Sequence, residues 1–206
     1  MGHREDLLAG AKRCLYEKGY ARTTARDIVA ASGTNLASIG YHYGSKEALL
    51  NAALFQAIGE WGDELEAALA AETDPDASPL ERFEQYWTRV LDTFASHRRL
   101  WAATFEIWGA IERVPELRQA VADGYQEARR GWAMLLSNID AAVDEKKALA
   151  VGSFYQALLT GVLTQWLIDP ERAPSGQDLA EALREIVALY GQPAKAKKTS
   201  RRSGGR

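Results

Sequence analysis

The sequence is poor in the residues that support metal binding and thiol chemistry. Among its 206 residues are one cysteine, Cys14, and three histidines, and none of these forms a pair at metal-ligand spacing. A single cysteine excludes an intramolecular disulfide, which is typical of proteins in a reducing compartment. We therefore expect a cytoplasmic protein that uses no metal ion and no other cofactor.

Long hydrophobic runs and segments with strand periodicity are absent too. No stretch approaches the roughly 18 apolar residues that span a bilayer, and no charged-then-apolar leader opens the chain. We therefore expect no membrane partner. Because 47% of the residues are apolar and their spacing is helical, the sequence predicts an all-α protein with about nine helices and a real core.

Common catalytic motifs are missing as well. The chain has no Gly-x-Ser-x-Gly, no His-Glu-x-x-His and no glycine loop that would hold a phosphate. An all-helical enzyme is the alternative from another class, but it would need a catalytic constellation that the sequence does not offer. We therefore expect that the protein is not an enzyme.

Basic residues outnumber acidic residues at both ends of the chain, and acidic residues outnumber basic residues in between. Residues 1–47 hold seven Lys/Arg and five Asp/Glu, and residues 193–206 hold six Lys/Arg and no acid. Residues 48–192 hold 12 Lys/Arg against 23 Asp/Glu. Basic ends on an acidic body would orient the protein on a phosphate surface. The basic tail, 193–206, is predicted to be disordered, and it serves either nonspecific DNA attraction or solubility alone.

Two short helices joined by a tight turn are predicted after residue 24. Thr24 and Asp27 form a capping-box pattern, and Gly33 suits the left-handed exit from a helix. Asn35 is the next N-cap, so a second helix should run from Leu36 to Tyr43. This arrangement is a helix-turn-helix, although an αα-corner without a DNA role has the same shape.

The second of these helices has the character of a recognition helix. Small residues near its start would let the backbone approach base edges in the major groove, and hydroxyls, cations and helix N-termini nearby would hold phosphates. The predicted DNA-binding residues are Thr24, Asn35, Leu36, Ala37, Ser38, Gly40, Tyr41, His42 and Lys46.

Residues 5–58 resemble the N-terminal domain of the TetR (tetracycline repressor) family of transcriptional regulators. The resemblance rests on Thr24, Ile28-Val29-Ala30, Ala37-Ser38, Tyr41-His42-Tyr43 and Ser45-Lys46-Glu47-Ala48-Leu49, with unbroken spacing. Gly40 stands where many members carry an aromatic, and Asn35 where many carry Ser. Both departures should change which operator bases are read rather than whether DNA is bound.

The spacing of apolar residues after the helix-turn-helix predicts a larger helical body. We expect a DNA-binding domain at 1–47, a ligand-binding and dimerisation domain at 48–192, and the tail at 193–206. Helices are predicted over Glu5–Lys18, Ser45–Glu72, Leu100–Ile111, Lys146–Ile168 and Ser175–Tyr190, a further helix starts at Pro79, and another runs from Pro115 to about Ile139. Thr73–Ser78 is the clearest linker.

The last two helices are predicted to form a dimer interface. Residues 148–167 are almost uncharged, and a helix that is apolar nearly all round must be buried on more than one side. A second subunit is the simplest second side, although a core helix of a monomer is the alternative. The resemblance agrees, because TetR-family regulators dimerise through their last two long helices. The predicted interface residues are Phe154, Leu158, Leu159, Val162, Leu163, Trp166, Leu183, Ile186 and Tyr190.

Aromatic residues of the body fall on inward stripes. They either fill the core or line a cavity for a flat apolar or cationic small molecule. The resemblance implies such a pocket, because most TetR-family members release DNA when an inducer binds there. The predicted ligand-binding residues are Trp87, Trp101, Phe105, Trp108, Glu112, Tyr125, Arg129, Trp132 and Tyr155.

These patterns predict a ligand-responsive, dimeric repressor that binds a palindromic operator in double-stranded DNA. Ligand would swing the helix over Ser45–Glu72 and change the separation of two recognition helices from the ~34 Å that successive major grooves require. A helical DNA-binding protein without a small-molecule ligand is the alternative.

Overall fold

A computed structural model describes residues 3–72, 76–109 and 111–190, with side chains omitted at 70–72. Over these ranges the chain forms nine α-helices and no strand, which confirms the predicted all-α architecture. The predicted tail at 193–206 and the first part of the predicted linker lie outside the described residues. The helices are α1 His3–Lys18, α2 Ala25–Ser32, α3 Leu36–Tyr43, α4 Lys46–Glu72, α5 Pro79–Phe94, α6 Arg98–Trp108, α7 Pro115–Ser137, α8 Glu145–Ile168 and α9 Gly176–Tyr190.

Side-chain caps explain why several helices begin where they do. The Thr24 hydroxyl accepts from the N–H of Asp27, and the Asp27 carboxylate accepts from the N–H of Thr24, which completes the predicted capping box of α2. Ser78 and Glu81 form the same reciprocal pair at α5, with Pro79 in the first turn. Each cap satisfies backbone N–H groups that the helix itself leaves without partners.

Two helices end earlier than the sequence predicts. α6 stops at Trp108 rather than Ile111, because the Ile111 N–H bonds the Trp108 carbonyl at 3.4 Å, a three-residue step that tightens the chain into a turn. α7 stops at Ser137 rather than Ile139, because Asn138 takes a left-handed conformation with φ 51°.

The core runs without a break from the first helix into the body. Leu7 and Leu15 of α1 are buried together with Leu49, Leu50 and Leu54 of α4. The first half of α4 therefore packs with the helix-turn-helix, and its second half continues into the body. α7 packs along α8, and α9 packs along α5.

Candidate DNA-binding surface and body cavities

One face of α3 packs against the rest of the protein, and the opposite face is exposed. Ile39 is buried, and the Tyr43 hydroxyl donates to the Arg4 carbonyl at 2.9 Å. At the start of the helix the Asn35 side-chain oxygen accepts from the Ser38 N–H at 3.1 Å and from the Ser38 hydroxyl at 3.2 Å. Because the oxygen is engaged, Asn35 presents its amide N–H groups as donors.

The outward face of α3 exposes apolar surface to solvent. Tyr41 is 85% exposed and Leu36 is 52% exposed, while Ala37 and Gly40 are exposed beside them. His42 is half-buried, and its ring meets the Tyr41 ring edge-on at 4.8 Å. Large exposed side chains clustered on one helix face indicate a binding surface. The predicted recognition residues therefore lie together on one short helix.

Thr24 and Lys46, which we predicted as phosphate donors, already have partners inside the protein. The Thr24 hydroxyl donates to the Asp27 carboxylate at 2.7 Å as part of the α2 cap. The Lys46 ammonium donates to the Thr23 carbonyl at 3.2 Å and lies 3.3 Å from the Glu47 carboxylate. Lys46 thus ties the start of α4 to the turn before α2, and a phosphate would compete with these partners.

Two exposed arginines flank Thr24 and were missed by the sequence analysis. Arg22 and Arg26 are both exposed. The Arg22 Nε–H donates to the Lys18 carbonyl at 2.8 Å, and this bond holds the guanidinium group against the end of α1. Guanidinium groups recognise phosphate through paired donors. Their position beside the N-terminus of α2 is the signal in the sequence that would have marked both arginines as candidate phosphate contacts.

Hydrogen bonds from α6 to main-chain atoms at the end of α1 and in the turn before α2 hold the DNA-binding part to the body. Arg99 donates to the carbonyls of Tyr16, at 2.6 Å, and of Glu17 at the end of α1. Glu106 accepts from the N–H of Ala21 at 2.9 Å. We call these contacts the α6 junction. They place one helix of the body directly against the DNA-binding part.

Two further polar contacts join the DNA-binding part to α4. The Lys12 ammonium pairs with the Glu60 carboxylate at 2.6 Å. Burial, together with the negative charge of Glu60, raises the pKa of the Tyr16 hydroxyl nearby. The Tyr20 hydroxyl donates to the Asn51 side-chain oxygen at 2.7 Å. Burial also raises the pKa of the Tyr20 hydroxyl, so it remains a donor at neutral pH.

Aromatic side chains fill the centre of the body. Trp87 and Trp101 are buried, and neither indole N–H has a hydrogen-bond partner within the described ranges. Trp61 meets the ring of Trp101 at 4.7 Å and that of Trp132 at 6.4 Å. Trp132 also donates to the Gln156 side-chain oxygen at 2.9 Å. The predicted ligand residues Trp87, Trp101 and Trp132 therefore belong to a packed aromatic centre.

A groove of about 1100 Å³ opens between α5, α9 and the C-terminal end of α7. Among the predicted ligand residues only Tyr155 lines it, with its hydroxyl 3.0 Å from that of Ser137. Its floor includes Tyr86, whose pKa is raised well above its usual range by burial. Three arginines and one glutamate also line it, namely Arg82, Arg89, Arg184 and Glu66.

A second cavity, of about 580 Å³, lies between α7, α8 and the end of α6, and we call it the α7–α8 cavity. It brings together Trp108, Tyr125 and Arg129 from the predicted ligand set. Phe105 lies behind Trp108, with ring centroids 4.6 Å apart. The remaining lining residues are Ile111, Val121, Ser153, Gln156, Ala157, Thr160 and Gly161.

Glu112 does not face either cavity. It is exposed and pairs with Arg118 at 2.8 Å. We predicted it as a ligand residue because helical spacing would align it with Trp101, Phe105 and Trp108, but α6 ends at Trp108. The helical spacing that would have aligned Glu112 with these aromatic residues therefore does not reach it.

The outward apolar face of α8 and α9 differs from the predicted interface set. Leu159, Val162 and Leu163 are buried within the protomer, so they have almost no surface to offer a second subunit. Leu158, Trp166 and Leu183 are half-buried, while Phe154, Ile186 and Tyr190 are exposed. Further exposed apolar residues on these helices, which the sequence analysis missed, are Ile168, Val187 and Leu189.

The described residues hold no group of three or more His, Cys, Asp or Glu side chains that could bind a metal ion. Over the same ranges, no helix combines the length and the apolar character that crossing a membrane requires.

Comparison with known proteins gives matches over both parts of the chain. Residues 7–53 match the profile of bacterial regulatory proteins of the tetR family, and residues 78–189 match that of tetracyclin repressor-like C-terminal domains. The HTH-type transcriptional regulator TtgR of Pseudomonas putida is 26% identical over 177 residues, covering 82% of this chain and 81% of the relative. The HTH-type transcriptional repressor AcnR of Corynebacterium efficiens is 41% identical over 46 residues, covering 22% of this chain and 24% of the repressor.

Solved structures share the fold at low sequence identity. The multidrug binding protein EbrR, solved with imidazole, superimposes with a TM-score of 0.63 at 24% identity, covering 95% of this chain and 98% of EbrR. The same protein solved with proflavin gives 0.61 at 22% identity, covering 90% and 99%. A transcriptional regulator from Saccharomonospora viridis in complex with choline gives 0.60 at 24% identity, covering 90% and 95%.

Proposed function

Because the chain belongs to the tetR family of bacterial regulatory proteins, and is therefore a DNA-binding transcriptional regulator, we propose that it is a ligand-responsive repressor. It binds a palindromic operator as a homodimer and leaves the DNA when a small apolar or aromatic inducer binds. In this proposal residues 1–47 bind DNA and residues 48–192 bind the ligand and the second subunit. The family consists of transcriptional regulators rather than enzymes.

Base reading is assigned to the exposed face of α3. Ala37, Gly40 and Tyr41 would meet base edges and thymine methyl groups, because they are exposed and mostly without hydrogen-bonding side chains. The Asn35 amide, Ser38 and His42 would supply the polar contacts beside them. Leu36, Thr24 and Lys46 complete the proposed DNA-binding surface.

A homodimer is supported by the apolar surface that one protomer leaves exposed. Phe154 of α8 is 53% exposed and Ile186 of α9 is 51% exposed, although both are large apolar side chains. A soluble protein rarely leaves such a face uncovered. A two-fold axis through α8 and α9 would cover it and would set two copies of α3 facing successive major grooves, ~34 Å apart.

The observation that carries the ligand response is the position of α6. Trp108 at its C-terminal end lines the α7–α8 cavity, and Arg99 and Glu106 bind main-chain atoms of the DNA-binding part. A ligand that displaces Trp108 would therefore move α6 against α1. Because the contacts of α6 reach the DNA-binding part directly, ligand occupancy would change the separation of the two recognition helices. The small molecules bound to EbrR and to the Saccharomonospora viridis regulator support a ligand in the body.

A DNA-binding regulator without a ligand is the second candidate. The packed centre favours it, because Trp61, Trp87 and Trp101 are buried there and Trp61 packs against Trp101 at 4.7 Å. In that case the occupancy of the operator would depend only on protein concentration.

Selection of random duplex DNA by the purified protein at moderate salt tests the proposal. We expect a palindromic consensus whose half-sites lie about one helical turn apart. Recovery of no consensus would reject the operator-binding proposal. The selected duplex then serves in a screen of small molecules, and a library without a single DNA-releasing compound would favour the ligand-free regulator.

Substitution of Tyr41 tests the assignment of α3. Tyr41→Ala removes an exposed ring that has no role in the core, so we expect at least about a tenfold loss of operator affinity with unchanged thermal stability. Tyr41→Phe keeps the ring and removes only the hydroxyl, so it separates ring contacts from a hydroxyl–phosphate bond. Unchanged affinity in both variants would show that this face of α3 does not read the operator.

A further inference from the structure

The α7–α8 cavity has one charged side chain in its lining, and that side chain is positive. The ten lining residues include Arg129 and no carboxylate. Arg129 differs in this respect from its neighbour Arg130, which pairs with Glu145 at 2.8 Å and with Glu127 at 3.7 Å. Within the described ranges no carboxylate pairs with Arg129, and its Nε is buried without a hydrogen-bond partner. A buried donor of a charged group without a partner is costly and calls for an acceptor.

The backbone that carries Arg129 is held firmly in place. α8 approaches α7 so closely at Gly152 that a Cβ there would lie 1.8 Å from the Arg129 carbonyl oxygen. This contact fixes the main chain at the base of the arginine. The Arg129 side chain therefore starts from a main-chain position that helix packing fixes, and a supporting structure of this kind helps a binding site to position a charge in advance.

The polar groups around Arg129 add a further donor. The side-chain oxygen of Gln156 is occupied by the indole N–H of Trp132 at 2.9 Å, so its amide group remains to donate. Burial raises the pKa of the Tyr125 hydroxyl, so this group keeps its proton. The Arg129 Nε–H and the Gln156 amide thus remain as donors, while the Ser153 hydroxyl already donates to the Leu149 carbonyl at 2.6 Å. Two donors, one of them cationic, favour an oxygen-rich anionic group.

The rest of the wall is apolar and aromatic. The rings of Trp108 and Tyr125 stand 6.4 Å apart at an interplanar angle of 83°, and Ile111 and Val121 lie beside them. Such walls suit a flat hydrocarbon ring, because aromatic faces and edges pack well against each other. The volume of about 580 Å³ is in the range of sites for small organic molecules.

We propose that the α7–α8 cavity binds a small aromatic carboxylate. Arg129 pairs with the carboxylate, Gln156 donates to it, and the ring of the ligand packs between Trp108 and Tyr125. The inference rests on the proposed function, because it names the class of inducer to which the regulator responds. It also excludes lipophilic cations from this cavity, since no described lining residue carries a negative charge.

Isothermal titration with three naphthalene probes of similar size tests the proposal. We expect 1-naphthoate to bind at least about tenfold more tightly than 1-naphthylmethylammonium, with 1-naphthalenemethanol in between. Equal or tighter binding of the cation, or no detectable binding of naphthoate, would overturn the proposal. This comparison uses the unmodified protein and so does not depend on the folding of any variant.

Arg129→Gln supplies the residue-level test, with Arg130→Gln as its matched control. The two arginines are neighbours on α7, but only Arg129 lines the cavity. We expect Arg129→Gln to lower the affinity for naphthoate by about tenfold or more and to leave the affinity for the neutral alcohol unchanged. Arg130→Gln should leave both affinities unchanged. Equal losses in the two variants, or no loss in Arg129→Gln, would contradict the assignment.

Fluorescence anisotropy of the selected duplex separates this inference from the proposed function. Naphthoate that binds the protein without releasing DNA would support the anion site and contradict the ligand-responsive repressor. A cation that releases DNA from both the wild type and Arg129→Gln would support the repressor and contradict the anion site.

Discussion

At the scale of single residues, the proposed recognition helix α3 contains a glycine that its packing does not require. Gly40 is exposed in the middle of α3, and no atom lies within 4 Å of the position that a Cβ would take. Its backbone is helical rather than left-handed, so any residue could adopt it. A glycine inside a helix costs about 1 kcal/mol relative to alanine. Under the proposed function, the absence of a side chain at this position lets the α3 backbone approach the operator closely.

Gly40→Ala should separate stability from DNA binding. We expect the free energy of unfolding to rise by up to about 1 kcal/mol, because alanine favours the helix. We expect operator affinity to fall by about tenfold, because the added methyl group keeps the α3 backbone away from the base edges. Chemical denaturation and anisotropy measure the two quantities.

Gly59→Ala is the matched control for this substitution. Gly59 is also exposed, lies in α4 and has no atom within 4 Å of a Cβ position. It should show the same gain in stability without a loss of affinity. A Gly40→Ala variant that binds the operator as well as Gly59→Ala does would mean that α3 has room for a side chain at this position.

At the scale of the helices, the sequence predicts the bounds of most helices to within two residues, and it predicts their faces less well. Caps such as Thr24 and Ser78 are local, so they could be recognised from neighbouring residues alone. The end of α6 depends on how the chain turns after Trp108, and Glu112 was misplaced for that reason. For α8, periodicity indicated an apolar helix, but which side faces α7 depends on the close approach at Gly152. Leu159 and Val162 were therefore assigned to the wrong surface.

Gly152→Ala should destabilise the body strongly. A methyl group at this position would overlap the Arg129 carbonyl oxygen, which lies 1.8 Å away and belongs to the backbone of α7. Because backbone cannot rotate aside, α7 and α8 must separate, and we expect a loss of about 3 kcal/mol in the free energy of unfolding. Gly131→Ala is the control, since that α7 glycine has nothing within 4 Å and should gain up to about 1 kcal/mol. Equal stabilities of the two variants in urea denaturation would contradict the close packing of α7 and α8.

The α2 cap should make stability sensitive to acid. The Lys18 ammonium, with the Thr24 hydroxyl and N–H, donates to the Asp27 carboxylate and holds the pKa of that carboxyl well below its usual range. In the unfolded chain the Asp27 carboxyl titrates at about pH 3.9, so the contribution of the cap to the free energy of unfolding is fully present above that pH. It declines as the pH falls further towards the folded pKa. Asp27→Asn should therefore flatten the fall of the melting temperature between about pH 4 and pH 2, and a profile that matches the wild type would contradict this role.

At the scale of the whole molecule, the apolar outer surface of α8 and α9 is the face that the proposed homodimer would bury. The exposed residues of this surface are Phe154, Ile168, Ile186, Val187, Leu189 and Tyr190. A charged substitution at a buried position such as Leu159 would unfold the protomer and reveal nothing about assembly. The exposed positions, in contrast, test the second subunit without disturbing the core.

Ile186→Glu should give folded monomers. Its side chain is half-exposed on α9, so a carboxylate there remains solvated in the monomer but would be buried in a dimer. Because an operator with two half-sites is held by two linked DNA-binding parts, affinity should fall by about a hundredfold or more. Val143→Glu, at an exposed valine in the turn before α8, is the control and should remain dimeric. Sedimentation velocity measures the oligomeric state of both variants. An Ile186→Glu variant that still sediments as a dimer would show that the interface lies elsewhere.

The α6 junction has a consequence for how such a protein can be rebuilt. Arg99 and Glu106 bind the carbonyls of Tyr16 and Glu17 and the N–H of Ala21, so α6 recognises main chain whose geometry does not depend on side-chain identity. If the exposed side chains of α3 were replaced to recognise a different operator, the main-chain atoms that α6 binds would stay the same. Changes confined to the exposed face of α3 should therefore leave the α6 junction intact, and grafting another operator specificity onto that face should redirect the protein to a different promoter without altering the body.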